Sequence, residues 1–113
     1  MKKILVIDDD IAILDVLQYT LHKEGYHCDV VNTGKEGLVK LDNNYDLILL
    51  DIRLSEESGC SIATIIKERK PDSLIIALSA YVSLAQKAFF DDYIEKPFTY
   101  TEFMEKIKLF LRD

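Results

Sequence analysis

Short apolar runs alternate along this chain with longer stretches of helical period, and this alternation constrains the fold more than any other feature. The runs are rich in Ile, Leu and Val and lack polar alternation, which is typical of strands covered on both faces. They lie at residues 3–7, 27–31, 46–50, 74–78 and, more weakly, 92–94. We predict that each run forms a strand of one parallel sheet.

The stretches that follow the runs carry apolar residues at intervals of three and four, which predicts a helix after every strand. Gly25 and Pro71 are expected to end the first and third helices. Capping-box patterns at residues 33–36 and 99–102 are expected to open the second and fifth. Five strand–helix units in alternation predict an α/β fold with helices on both sides of the sheet. The apolar positions are Ile11, Leu14, Leu17, Leu21, Leu38, Leu41, Ile62, Ile65, Ile66, Leu84, Ala85, Ala88, Phe103, Ile107 and Phe110.

The composition fits one globular domain over residues 1–113. The net charge is −6, which argues against a general nucleic-acid binder because phosphate neutralisation needs clustered Lys and Arg. No apolar run approaches the roughly 18 residues that span a bilayer, so we expect a cytoplasmic protein without a membrane partner. Cys28 and Cys60 are too few for a zinc site; free thiols are expected, with a disulfide as the alternative.

Polar residues stand where four of the five predicted strands end, the edge at which ligands bind in sheets of this kind. Taken alone, the first group could be a helix cap with acids in the first helical turn. Asp51 is harder to explain as a cap, because the next helix is expected to begin near Ser58 or Gly59. The residues at this edge are Asp8, Asp9, Asp10, Asp51, Ser79 and Lys96.

If Asp51 meets two of the early aspartates, three negative charges share a small volume. Each pair about 5 Å apart repels by roughly 3 kcal/mol at an effective dielectric constant of ~20, which favours a bound cation. Oxygen ligands completed by waters suit Mg²⁺, and Lys96 could bind an anion held by the metal. Together with the Ser79 hydroxyl, this set predicts a phosphoryl-transfer site with Asp51 as the nucleophile.

Four motifs in this order support a family resemblance. They are Ile7-Asp8-Asp9-Asp10, Leu49-Leu50-Asp51-Ile52-Arg53-Leu54, Leu78-Ser79-Ala80 and Asp92-Tyr93-Ile94-Glu95-Lys96-Pro97-Phe98. From Lys2 to the last helix, the chain resembles the CheY-like receiver domain of two-component response regulators. The resemblance implies a doubly wound, flavodoxin-like sheet of five parallel strands in the order 2-1-3-4-5.

The resemblance also implies roles at the metal and phosphoryl site. Asp9 would bind Mg²⁺ directly, and Asp8 would act largely through water. Asp51 would also bind the metal and would accept the phosphoryl group from a histidine kinase or a phosphotransfer protein. Arg53 would supply its backbone carbonyl to the metal, which leaves its side chain free to vary.

Three further residues have roles by the same resemblance. Ser79 would be the switch hydroxyl that moves to the phosphoryl oxygen, and Lys96 would pair with that oxygen. Tyr93 would be the aromatic residue whose rotamer follows Ser79; the alternative is an ordinary half-buried strand tyrosine. The family carries a cis peptide at the position of Lys96–Pro97, which an X–Pro bond permits.

The sequence departs from the family pattern in ways that bear on output. Ser55 stands where proline is usual, so we expect a more mobile loop. The short separation of Ser79 and Lys96 predicts a short or irregular fourth helix. Because no further domain follows, we expect signalling by docking to a downstream protein, with a homodimer through the fourth helix, fifth strand and fifth helix as a related expectation.

Two alternatives stay open. The first is an interaction module that keeps this fold without phosphorylation. The second is a small phosphatase of the haloacid dehalogenase type, in which Asp8 and Asp10 imitate the nucleophile motif; the order of its other motifs and the chain length argue against it. Apart from its own phosphorylation and dephosphorylation, we expect no enzymatic activity.

Overall fold

The computed structural model describes residues 1–112 and contains five strands that alternate with five helices. The strands are β1 (Lys3–Ile7), β2 (His27–Val31), β3 (Leu47–Asp51), β4 (Ile75–Ser79) and β5 (Asp92–Glu95). The helices are α1 (Ile11–Lys23), α2 (Gly34–Lys40), α3 (Gly59–Arg69), α4 (Leu84–Lys87) and α5 (Tyr100–Leu111), with a 3₁₀ turn at Leu41–Asn43.

All four strand pairings are parallel, and the order in the sheet is β2-β1-β3-β4-β5. Alternate residues of the central strands bury their side chains in two layers on opposite faces. Helices α1 and α5 contribute to one layer, and α2 and α3 contribute to the other. The doubly wound, flavodoxin-like α/β fold expected from the sequence is confirmed.

Two central strands begin and end one residue later than the sequence predicted. The observed bounds of β3 and β4 replace the predicted 46–50 and 74–78, and β5 runs on to Glu95. The reason is that pairing continues past the apolar runs: Asp51 lies opposite Leu78, and Ser79 lies opposite Glu95. Asp51 and Ser79 are therefore buried strand residues rather than loop residues.

Local signals at the helix ends are largely confirmed. Asp10 is the N-cap of α1 and accepts hydrogen bonds from the backbone N–H groups of Ala12 and Ile13. Thr33 and Thr99 cap α2 and α5, and Gly25 follows α1 with a φ of 91°, which glycine adopts without strain. The sequence analysis missed the capping box of Ser83 that opens α4.

Helix α4 spans four residues, as expected from the short separation of Ser79 and Lys96. The Lys96–Pro97 peptide bond is cis, and both cysteines are free thiols. No helix within the described part of the chain has the length and apolar character to cross a membrane.

Candidate functional site

Three carboxylates meet at the carboxyl edge of the sheet. The parallel pairing of β1 with β3 sets Ile7 opposite Leu50, so that the residues after them come side by side. One carboxylate oxygen from each of Asp8, Asp9 and Asp51 lies within 4.8 Å of the others. The sequence-predicted acidic group is therefore assembled in the fold, and Asp10 is turned to its capping role instead.

The three acids differ in their surroundings. Asp8 is completely buried; its Oδ1 accepts the backbone N–H of Asp10 at 3.0 Å, and its Oδ2 accepts the ammonium of Lys96 at 2.6 Å. Asp51 is 6% exposed, and Asp9 is open to solvent. The site therefore has a buried floor and one exposed carboxylate at its rim.

Lys96 provides the positive charge at this edge. Its backbone N–H donates to the carbonyl of Ser79 at 2.8 Å, which places the residue directly beyond the end of β5. Its Nζ lies 2.6 Å from Asp8 Oδ2 and 3.6 Å from Asp51 Oδ2. One ammonium thus contacts both buried acids, as the sequence predicted for a residue at this position.

The ionisation of Asp51 is shifted by its environment. Burial raises its pKa from 3.8 to about 6, and the charge of Asp8 raises it further. A hydrogen bond from the backbone N–H of Arg53 at 3.1 Å and the charge of Lys96 oppose this rise. Asp51 is consequently a carboxylate that the fold holds in an unfavourable charged state, which a cation would relieve.

The ligand set fits a hard divalent cation. Three carboxylates and one ammonium leave a formal charge of −2 when all are ionised, and the oxygens are close enough to share one ion. Mg²⁺ prefers such oxygen ligands and binds through a few carboxylates while it keeps several waters. The side chain of Arg53 is exposed, while its backbone N–H is bonded to Asp51.

Ser79 and Tyr93 lie near the site but are directed away from the acids. Ser79 is buried at the end of β4, and its hydroxyl donates to the backbone carbonyl of Tyr81 at 2.8 Å. Tyr93 is half-buried on β5, and the ammonium of Lys87 from α4 lies 4.4 Å from the centre of its ring. Each side chain therefore has a partner on the segment between β4 and β5.

Two contacts of the loop after β3 were missed by the sequence analysis. Ser55 Oγ donates to Asp9 Oδ2 at 2.7 Å, and Glu57 Oε1 accepts the backbone N–H of Gly34 at 2.9 Å. The only sequence signal was a hydroxyl in place of the usual proline, which we had interpreted as a loosening of the loop. The structure instead links this loop to the acidic site and to the start of α2.

Comparisons with known proteins point to one family. The model of the response regulator receiver domain matches residues 4–108. Among curated proteins, the transcriptional regulatory protein ResD of Bacillus subtilis is 38% identical over 97% of this chain and 48% of its own length. The response regulator ArlR of Staphylococcus saprophyticus is 36% identical over 99% of this chain and 53% of its own length.

Solved structures agree with these matches. The response regulator TrrA of Thermotoga maritima, in complex with Mg(2+)-BeF, has a TM-score of 0.90 and 40% identity over 98% of this chain and 100% of that chain. TrrA in the complex of histidine kinase ThkA with TrrA has a TM-score of 0.88 and 39% identity, covering 98% of this chain and 99% of that chain. The chain spans about half the length of the curated relatives named above.

Proposed function

This chain belongs to the family of response regulator receiver domains of two-component systems, and on that premise we propose that it is a switch that accepts a phosphoryl group on Asp51. Receiver domains are signalling domains rather than conventional enzymes. The proposed donor is a histidine kinase or a phosphotransfer protein, in keeping with the kinase-bound relative. The observation that carries the proposal is the grouping of Asp51 with Asp8, Asp9 and the Lys96 ammonium.

In the proposed transfer, a carboxylate oxygen of Asp51 attacks the phosphorus of the donor's phosphohistidine. A P–O bond forms while the P–N bond breaks, and the imidazole nitrogen leaves with the electron pair of the broken bond. The product is an acyl phosphate on Asp51. Positioning and charge neutralisation supply most of the rate enhancement in such a transfer, and the residues of this edge are arranged for both.

We propose that Asp8, Asp9 and Asp51 hold Mg²⁺, with Asp9 as a direct ligand, Asp8 acting largely through water, and the backbone carbonyl of Arg53 as a further ligand. When bound, the ion neutralises negative charge on the transferring group. The relative with Mg(2+)-BeF supports this choice of cation. The buried Asp8 also keeps Lys96 at the site through their 2.6 Å contact.

The switch follows from the phosphoryl oxygens as new acceptors. Lys96 pairs with one of them, the Ser79 hydroxyl leaves the Tyr81 carbonyl to bond the phosphoryl group, and Tyr93 turns inward behind it. These changes shift the populations of the surface formed by α4, β5 and α5. A coupling free energy of about 1–3 kcal/mol is sufficient for such a signal.

The proposed output is docking to a downstream protein, or to a second copy of the chain, through the same surface. Leu84 on α4, and Tyr100 and Leu109 on α5, are 85%, 59% and 53% exposed, which supports a protein-binding role. The net charge of −6 argues against direct binding of nucleic acid by residues 1–113, which we propose act in the cytoplasm with their kinase.

The test is labelling with a small phosphodonor such as acetyl phosphate in the presence of Mg²⁺. We expect Asp51→Asn to abolish the phosphoryl adduct seen by intact mass, and hydroxylamine to remove the adduct from the wild type. Asp72→Asn is the matched control, because Asp72 is an exposed acid in the turn after α3. Equal labelling of Asp51→Asn and the wild type would refute the proposal.

The two alternatives make different predictions. An interaction module without phosphorylation would show neither labelling nor a spectral response to beryllofluoride with Mg²⁺. The dehalogenase-type phosphatase needs Asp10 beside Asp8 in the site, yet Asp10 caps α1 through its side chain. Phosphate release that depends on Asp8 but not on Asp51 would favour that phosphatase.

A further inference from the structure

Ser55 makes a contact with the acidic site that proline, the usual residue at its position in the family, could not make. Its hydroxyl donates to Asp9 Oδ2 at 2.7 Å. Asp8 and Asp51 each have a backbone N–H donor and the Lys96 ammonium as partners. Within residues 1–112, Ser55 is the one recorded hydrogen-bond donor to the Asp9 carboxylate. The orientation of Asp9 therefore depends on Ser55.

The loop that carries Ser55 is fixed on both sides. Leu54, the residue before it, is 8% exposed and packs in the layer formed with α2 and α3. Glu57, two residues after it, accepts the N–H of Gly34 at the start of α2 at 2.9 Å. Ser55 is thus placed by anchors that involve neither the acids nor Lys96.

The return of the loop also keeps it close to Asp51. The backbone N–H of Gly59 donates to the carbonyl of Ile52 at 2.8 Å. A Cβ at Gly59 would lie 2.6 Å from the Cα of Ile52 and closer still to the carbonyl oxygen of Asp51, so a glycine is required here. The short path from Asp51 to Gly59 holds the loop, with Ser55 in it, against the site.

An exposed carboxylate beside two buried acids has a physical reason to turn away. Asp9 is open to solvent, and like charges within 4.8 Å repel it from Asp8 and Asp51. A hydrogen bond from a fixed loop opposes that rotation. The bond uses Oδ2 of Asp9 and leaves its second oxygen available.

We propose that Ser55 is a positioning residue whose hydroxyl holds the Asp9 carboxylate toward Asp8 and Asp51 and so raises the affinity of the site for Mg²⁺. This inference rests on the proposed function, since it assumes that the three carboxylates bind that ion. Outer-shell partners of metal ligands commonly set affinity by orienting the ligand before the ion arrives. Ser55 would do so here through a neutral donor that does not reduce the negative charge of the site.

The experiment is an Mg²⁺ titration of the full chain, followed through the amide resonances of Asp10 and Arg53, whose N–H groups bond to Asp8 and Asp51. Ser55→Ala removes the hydroxyl, and we expect the Mg²⁺ dissociation constant to rise about tenfold. Ser55→Thr keeps a hydroxyl and should remain within about twofold of the wild type. Ser61→Ala, on the exposed face of α3, is the matched control and should not change it.

The outcomes separate this inference from the function on which it rests. If the wild type binds Mg²⁺ and is labelled on Asp51 while Ser55→Ala binds it as tightly or more tightly, the positioning role is wrong and the proposed function stands. If Ser55→Thr fails to restore the affinity lost in Ser55→Ala, the hydroxyl is not responsible and the inference is also wrong. If the wild type itself neither binds Mg²⁺ nor is labelled, both are wrong.

Discussion

Replacement of Asp51 by asparagine should stabilise the protein in the absence of divalent cations. The side chain is 6% exposed, and burial raises its pKa from 3.8 to about 6, so at neutral pH the fold holds a buried charge that the unfolded chain would solvate. Asparagine has nearly the same volume and keeps an acceptor oxygen for the backbone N–H of Arg53. The substitution therefore removes the charge while it preserves the packing.

The expected gain follows from the pKa difference. Because a difference of one in pKa corresponds to about 1.4 kcal/mol, the ionised Asp51 costs the fold about 3 kcal/mol at neutral pH. Neighbouring charges nearly cancel: at an effective dielectric constant of ~20, Asp8 within 4.8 Å repels Asp51 by about 3.5 kcal/mol, and Lys96 at 3.6 Å attracts it by about 4.6 kcal/mol. What remains is the cost of burial, and we expect Asp51→Asn to gain about 2–3 kcal/mol.

The assay is urea unfolding of both proteins in EDTA, followed by circular dichroism, at about pH 7.5 and about pH 5. The folded pKa lies above the unfolded one, so the folded chain keeps its proton over a range in which the unfolded chain has lost it. The cost of Asp51 therefore grows as the pH rises from about 4 to about 6 and is constant above about 7. The advantage of Asp51→Asn should fall by about half at pH 5.

Added Mg²⁺ provides the opposite control. Binding to the folded state alone stabilises the wild type, so its advantage over Asp51→Asn should increase with the concentration of the ion. Asp72→Asn should follow the wild type under all conditions, since Asp72 is exposed. An Asp51→Asn protein that is no more stable than the wild type in EDTA, or whose advantage does not change with pH, would refute the assignment of a buried, destabilising charge.

Two further predictions concern other charged groups. Lys96→Met leaves the fully buried Asp8 without its counter-ion, and we expect the free energy of unfolding in EDTA to fall by about 3–5 kcal/mol, with partial recovery in Mg²⁺; a loss below about 1 kcal/mol, equal to that of Lys96→Arg, would contradict the pairing. Burial raises the pKa of Asp29, but hydrogen bonds from Tyr45 and His27 outweigh it and lower the pKa, so Asp29 stabilises the fold above its ordinary pKa, and this stability is lost as the pH falls through the lowered value. Tyr45→Phe should therefore cost about 1–2 kcal/mol at neutral pH and less below about pH 4, as measured by urea unfolding, and a cost that does not change with pH would count against this hydrogen bond.

The features predictable from the sequence were those that repeat along the chain or lie next to a strand. Apolar runs identified all five strands, and Asp8, Asp9, Asp51 and Lys96 could be assigned to one edge because parallel strands end together. The strand ends were placed one residue early, since an apolar run does not show that a polar residue such as Asp51 still pairs with its neighbour. Proximity at the edge was predictable, while the pairing of its last residue was not.

Contacts between loops could not be predicted, because they depend on the relative placement of distant segments. Ser55 and Asp9 are 46 positions apart, and neither residue type requires the other. The bond of Glu57 to the start of α2 and the position of Lys87 over the ring of Tyr93 are of the same kind. Each arises from the three-dimensional path of a loop, on which hydrophobic periodicity carries no information.

The residues proposed for the switch already have partners in the described conformation. The hydroxyl of Ser79 is bonded to the Tyr81 carbonyl, and the Lys96 ammonium is 1 Å closer to Asp8 than to Asp51. A phosphoryl group on Asp51 must therefore compete with existing bonds rather than fill open positions. Because each exchange replaces one contact by another, the net free energy of switching is a small difference, which is compatible with a couplable equilibrium of about 1–3 kcal/mol. Weakening the existing partner, as in a Lys87→Ala protein that releases Tyr93, should then favour the switched state even though Lys87 contacts none of the acids through any recorded bond of residues 1–112.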